Sequence, residues 1–164
     1  MTLKLLLFFV GCMTLTSISP DLDKVRQDYR NASKDEEAVK LLFDTLTAVG
    51  KNDETTLVAY KGAVTTMMAQ YAQGIPEKKS FFKEGRELVE YAIALEPTNV
   101  EIRCIRLSVQ ESVPKITGYH KNKEEDKQFI MVNYTSMHDM GAKAFVKGFV
   151  LLSESFTQTE KQLF

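Results

Sequence analysis

The chain has no tryptophan, only two cysteines, two histidines, four prolines and eight glycines among its 164 residues. Two cysteines exclude a disulfide scaffold, an all-cysteine zinc site and an iron–sulfur cluster held by four thiolates. So few prolines and glycines argue against a turn-rich β-sandwich and against disorder. No charge of one sign dominates: 21 basic residues face 22 acidic ones, for a formal net charge of −1. That balance speaks against nucleic acid as the main partner. Short catalytic signatures are missing too. There is no Gly-x-Ser-x-Gly, P-loop, Gly-x-Gly-x-x-Gly or Cys-x-x-Cys, and no histidine pair at i, i+4. What remains is a chain that is 44% hydrophobic, with ten phenylalanines and six tyrosines. A chain of this length can bury a core without staples, and one domain is its natural organisation.

The first nineteen residues have the layout of a secretory signal peptide. Lys4 is the only charged side chain before Asp21, Leu5–Leu15 is an apolar run, and the small polar stretch Thr16–Ser19 follows. As a helix the run would reach about 16 Å, too short for the ~30 Å hydrocarbon core, so no stable transmembrane span is expected. Export to the periplasm or the medium is the reading. Phe9-Val10-Gly11-Cys12 faintly resembles a bacterial lipobox, which leaves a lipid anchor through Cys12 as a minor alternative. Once the leader is removed, Cys104 is the only thiol, on a helix beside Ile102 and Ile105, and reads as buried and inert.

From Asp21 onward apolar residues recur with helical spacing, and no stretch alternates with period two long enough for a strand. Helix starts are predicted at Ser33-Lys34-Asp35-Glu36, Asn52-Asp53-Glu54, Thr98-Asn99-Val100-Glu101, Asn122–Glu125 and Ser136–Asp139. Stops are predicted at Gly50, Gly74, Pro97 and Pro114. The helix from about 55 to Tyr71 carries a stripe of Leu57, Tyr60, Val64, Met67, Met68 and Tyr71. The residues from Thr157 read as a polar tail that frays.

Gly85, Val89, Ala92 and Pro97 are spaced four, three and five apart, the register of the second helix of a tetratricopeptide repeat. The stretch from Glu96 to Ile130 carries Glu-Pro-Thr-Asn-Val-Glu-Ile-Arg, Arg106-Leu107, Val113-Pro114-Lys115, Gly118-Tyr119 and Glu124–Ile130. In these segments it resembles a family of exported tetratricopeptide-like all-helical proteins of Bacteroidota, for which no activity is established. The resemblance implies export and a tetratricopeptide-like fold, and supplies no catalytic residue.

Arg103, Arg106 and Gln110 share one face of the helix predicted to start at Thr98-Asn99-Val100-Glu101. The two guanidiniums suit a carboxylate or a peptide terminus in a helical-repeat groove. The alternative is internal pairing, with Glu96, Glu101 or Glu111 as partners. Glu124, Glu125 and Asp126 in a first helical turn favour the positive helix end and need no further role. The expectation is therefore an all-α domain over 20–164, with six or seven antiparallel helices in a short tetratricopeptide-like array of helical hairpins. Its function would be non-catalytic binding of a protein or peptide, without metal, cofactor or nucleic acid. Two other classes stay open: a small apolar-ligand carrier lined by Met67, Met68, Phe81 and Phe82, and a motif-poor hydrolase using His120, Glu124 or Asp126.

Overall fold

The structure is a computed structural model that describes residues 19–32 and 35–164. The expected leader and Cys12, and Ser33 with Lys34, lie outside the described residues. The fold is all-α. Among the described residues eight α-helices and two complete 3-10 turns follow one another, and there is no strand. They are α1 (Leu22–Asn31), α2 (Glu36–Thr45), α3 (Thr55–Tyr71), α4 (Ile75–Leu95), α5 (Val100–Ser112), α6 (Lys123–Asn133), α7 (Met140–Leu152) and α8 (Gln158–Lys161). The eighth helix occupies the segment read as a fraying tail. Thr157 accepts from the Glu160 amide and Glu160 reaches back to the Thr157 amide, a complete capping box. Phe164 then packs on Tyr134 and Phe156, with ring centroids 4.6 and 5.8 Å apart.

Helix ends fall near the predicted signals, but several caps are made by different side chains. Asp35 caps α2 by accepting from the Glu37 and Ala38 amides. Asn99, not Thr98, caps α5, and it accepts from Glu101 and Ile102. Glu101 therefore makes no capping box; its side chain turns into the interior. Glu54 stands at the start of α3 without a side-chain cap bond, because Asp53 instead accepts from the Gly50 amide at 2.6 Å. Asp139 caps α7 through the Ala142 amide. Gly74, at φ 83°, reverses the chain between α3 and α4, and Pro76 follows in the first turn of α4 where a missing N–H costs nothing.

The centre of the fold is α3. Its sequence shows an apolar stripe, yet the helix is buried on nearly every side, from Thr56 through Thr66. The side opposite the stripe is lined by small residues, Ala59, Gly62, Ala63 and Thr66, which let neighbours come close. The α3–α4 pairing is the most extensive in the molecule. It crosses where Gly62 meets Gly85: a Cβ on Gly62 would sit 2.7 Å from the Gly85 carbonyl oxygen and 2.8 Å from the Val89 nitrogen. The small position expected at Gly85 is thus a backbone-to-backbone approach, and Gly62 is its other half. Helix α5 packs against α3, α4, α6 and α7, while α1 packs against α2, α3 and α7. Tyr29, Tyr60 and Phe145 stack edge-on and tie α1, α3 and α7 together, with the Tyr60 ring 5.3 and 5.4 Å from its neighbours. Among the described residues no helix is long and apolar enough to cross a membrane.

Candidate binding site

Helix α5 is a buried spine that carries charge. Nine of its residues are buried, among them Glu101, Arg106 and Gln110. A buried charge must be paired and hydrogen-bonded, so these residues dictate what surrounds them. Two clusters result, one toward each end of the helix.

The cluster around Arg106 is saturated. Arg106 forms a two-point contact with Asp126 of α6, 2.7 Å from Nε to Oδ2 and 2.7 Å from Nη2 to Oδ1. Its Nη1 reaches Glu90 of α4 at 3.2 Å. Asp126 has no exposed surface at all and also accepts from Arg103 at 3.0 Å. Arg103 pairs further with Glu125, donates to the Pro97 carbonyl at 2.9 Å and lies 4.7 Å over the Phe129 ring. The hydrogen bonds from Asn122 and Arg103 hold the Glu125 carboxyl below its usual range. Tyr119 donates to the other Glu90 oxygen at 2.5 Å, and burial together with that carboxylate pushes its hydroxyl up. The partners of the two arginines are thus Glu90, Glu125 and Asp126 rather than Glu96, Glu101 or Glu111, and they lock α5 to α4 and α6. Gln110, one turn on, is wholly buried, and neither polar atom of its amide has a hydrogen-bond partner. His120 places Nδ1 2.8 Å from the Gln110 carbonyl oxygen, at the end of α5. Glu124 is exposed and accepts from Gln128. Met67, Met68 and Phe82 pack on the core, and Phe81 sits edge-on to Phe43.

The opposite end of α5 is different. Arg26 of α1 grips Glu101 with Nε to Oε1 and Nη2 to Oε2, both at 2.8 Å. The Tyr60 hydroxyl donates to the same Glu101 Oε1 at 2.7 Å. Burial first, and the Glu101 charge second, push the Tyr60 hydroxyl well above its ordinary value, so it stays a donor. Arg26 also reaches Asp23 at 2.7 Å and Asp139 at 3.0 Å. Gly141 leaves room for this contact, since a side chain there would collide with Asp23 and Arg26. The Ala142 amide, and then Arg26, hold the Asp139 carboxyl below its usual range.

Above this network opens a cavity of about 400 Å³. It lies where the first turns of α3, α5 and α7 come together, and it includes Glu54, Thr56, Glu96, Asn99, His138 and Asp139 in its wall. Glu96 accepts from the Asn99 side chain at 2.8 Å. Glu54 has neither an ion pair nor a hydrogen bond to its side chain among the described residues. Partial burial, with the charges of Glu101, Glu96 and Asp139, pushes its carboxyl up despite Arg26. Such a crowd of like charges in a cleft marks a candidate functional site. Among the described residues no three His, Cys, Asp or Glu side chains are grouped to hold a metal ion.

Sequence spacing does not bring this network together, because Arg26 and Glu101 lie 75 residues apart. A signal was present, however: Val100, Cys104 and Leu107 mark one apolar side and Ile102, Ile105 and Val109 another, so Glu101 and Arg106 between them call for partners of opposite charge once both sides are packed. No family model, no curated protein and no solved structure matches this chain.

Proposed function

We propose that the chain is an exported, non-catalytic helical module that binds a protein or peptide partner in the periplasm or outside the cell. Its scaffold is the α3–α4–α5 unit. The Gly62–Gly85 crossing, Ala92 and the turn at Pro97 follow a tetratricopeptide-like register, which supports the reading of a helical-hairpin array. Arg103, Arg106 and Gln110 serve in this reading as the strut that holds α6 and α4 to α5. The recognition end is the cavity over Arg26 and Glu101. The observation that carries this assignment is Glu54, a carboxylate without a partner at the rim of a polar cavity, crowded by three others. Glu54 is exposed at the cavity mouth and makes no internal contact, which leaves it available to a group from outside.

The test is affinity capture from the native envelope fraction with the full chain and with a Glu54→Gln variant, followed by mass spectrometry of captured proteins and of the chain's own N-terminus. A stoichiometric partner that is retained by the parent and lost by the variant supports the module reading. Capture of a lipid or metabolite without any protein overturns it. An N-terminus at Met1 in that fraction overturns export.

A further inference from the structure

We propose that the cavity at the α3, α5 and α7 end takes a protonated primary amine, an alkylammonium group. The proposal rests on reading that cavity as the recognition end. It begins with charge. Around the cavity and its floor stand Asp23, Glu54, Glu96, Glu101 and Asp139, with Arg26 as the only arginine or lysine in the wall. Arg26 is already committed: Nε and Nη2 go to Glu101, Nη1 to Asp23, and Nη2 also to Asp139. Glu101 takes the Tyr60 hydroxyl besides. The hydrogen-bonding capacity of Arg26 is therefore used up, while three carboxylates share its single charge, and Glu54 and Glu96 add further negative charge above them.

A second observation is independent of the carboxylates. Thr56, 6% exposed, belongs to the cavity wall, and its hydroxyl has no hydrogen-bond partner among the described residues. The hydroxyl is not sealed from solvent, so an N–H donor in the cavity can take its lone pair in place of water. Glu54 precedes it by two residues across the first turn of α3, so one ammonium, with three donors, can address both.

Size and lining separate an organic cation from a bare ion. A metal ion needs several oxygens drawn to within about 2.6 Å of one point. Here the acidic groups are spread around about 400 Å³, and they include no metal-holding group. An ammonium on an alkyl stem fits better: the head meets Glu54, Glu96 and Thr56, and Met137 and Val100 offer apolar wall to the methylenes. The amine can come from a lysyl side chain of a partner or from a free diamine. The chemistry of the head is the same, so separate probes must distinguish them.

The experiment is a ¹H–¹⁵N titration of the full chain with three probes: acetyl-Gly-Lys-Gly-amide, the same peptide with norleucine for lysine, and 1,5-diaminopentane. The lysyl peptide, the diamine or both should shift the amides of Thr56, Asn99 and Ala142, while the norleucine peptide leaves them in place. A response to the peptide alone assigns a partner's lysine; a response to the diamine alone assigns a free amine. Glu54→Gln should weaken binding by about tenfold or more, and Thr56→Val should weaken it measurably, both with the parent's helical content. Equal shifts from the lysine and norleucine peptides overturn the proposal. So does silence from both amines up to about 10 mM, weaker than useful recognition. Calcium chloride alone shifting the same amides at lower concentration, and displacing the amine, overturns the ammonium assignment in favour of a metal. Failure here, with the envelope partner still captured by the parent and lost with Glu54→Gln, leaves the module reading standing. Amine binding without any captured protein removes the module reading and keeps this one.

Discussion

Alanine in place of Gly62 should destabilise the protein, although glycine in a helix interior is normally a liability. The usual exchange gains about 1 kcal/mol from helix propensity. At Gly62 the new Cβ would stand 2.7 Å from the Gly85 oxygen, 2.8 Å from the Val89 nitrogen and 2.9 Å from the Leu88 Cβ. Ordinary contact begins at 3.4 Å, so α3 and α4 must part by about 0.7 Å at their crossing. The obstructing atoms are mostly backbone, which cannot rotate away. Opening a packed interface of this kind costs about 1–3 kcal/mol beyond the lost fit of Ala63, Val64 and Val89, all fully buried there. The net expectation is a loss of about 1–2 kcal/mol, or roughly 2–8 °C in Tm for a chain of this size. Gly85→Ala should do the same or worse, since its Cβ would collide with the Gly62 oxygen and with the Thr66 nitrogen at 2.6 Å. Gly148 of α7 is the internal control. Its Cβ would meet only Arg30, at 3.5 Å and beyond, so alanine there should stabilise by about 0.5–1 kcal/mol. Thermal and urea unfolding followed by far-ultraviolet circular dichroism give the answer by sign. A Gly62→Ala protein with a Tm at or above the parent's would refute the close crossing, whatever Gly148→Ala does.

The two clusters on α5 and the cavity make further predictions. Gln110→Met removes an amide with two unpartnered buried atoms and should raise stability by about 1 kcal/mol in urea; a loss of similar size would show that the amide has a partner. Arg106→Met leaves Asp126 in the interior with only the Arg103 contact and should cost about 3 kcal/mol, whereas the double change Arg106→Met with Asp126→Leu should recover most of it; a single-variant cost typical of surface pairs refutes the burial argument. Cys104 should resist a disulfide reagent in a Cys12→Ser background until the protein unfolds, because burial and then the Glu101, Glu111 and Asp126 charges push its thiol well up; rapid labelling in the native state contradicts this. Glu54→Gln should be more stable than the parent at pH 7 but not at acid pH. The carboxyl is raised from 4.5 in the folded state, so ionising it costs folding free energy; that cost is absent below about 4.5 and grows as pH rises through the folded value. Stability curves for parent and variant that run parallel across this range would exclude the strain that partial burial and the Glu101, Glu96 and Asp139 charges place on Glu54 against the opposing Arg26.

How much of this was legible depended on whether the cause was local. The limits of α3 and α4 were, because Gly74, Pro76 and Pro97 act on the chain where they stand. So was the α8 capping box, although the polar composition of the segment from Thr157 hid it. The full burial of α3 was not: Ala59, Gly62, Ala63 and Thr66 look neutral beside the Leu57–Tyr71 stripe, and only the neighbouring helices show that small size is what they contribute. Arg103 and Arg106 were visible as a pair, but their fate hinged on Asp126, 20 residues beyond Arg106 and on another helix. Arg26 and Glu101 are 75 residues apart and meet only once α1 has packed against α3 and α7. The spacing of Glu101 from Thr98 fits a capping box, and a local pattern says nothing about a stronger distant partner.

The contrast between the two ends of α5 bears on where function lies. At the Arg106 end two guanidiniums meet three carboxylates, and Tyr119 and Asn122 occupy remaining oxygens of Glu90 and Glu125. That is how a chain closes a buried ionic cluster whose task is to hold helices in register. At the Arg26 end one guanidinium faces five carboxylates. The converging first turns of α3, α5 and α7 supply some positive potential, but Asn99 and Asp139 already answer it for α5 and α7. Glu54, at the start of α3, makes no cap bond and draws no such return. Holding α1, α3, α5 and α7 together requires Arg26, Glu101, Tyr60 and Asp139; it does not require Glu54 or an unsatisfied Thr56. Glu54 and the Thr56 hydroxyl make no internal contact and line the same cavity, and a positively charged donor is the counterpart that they share.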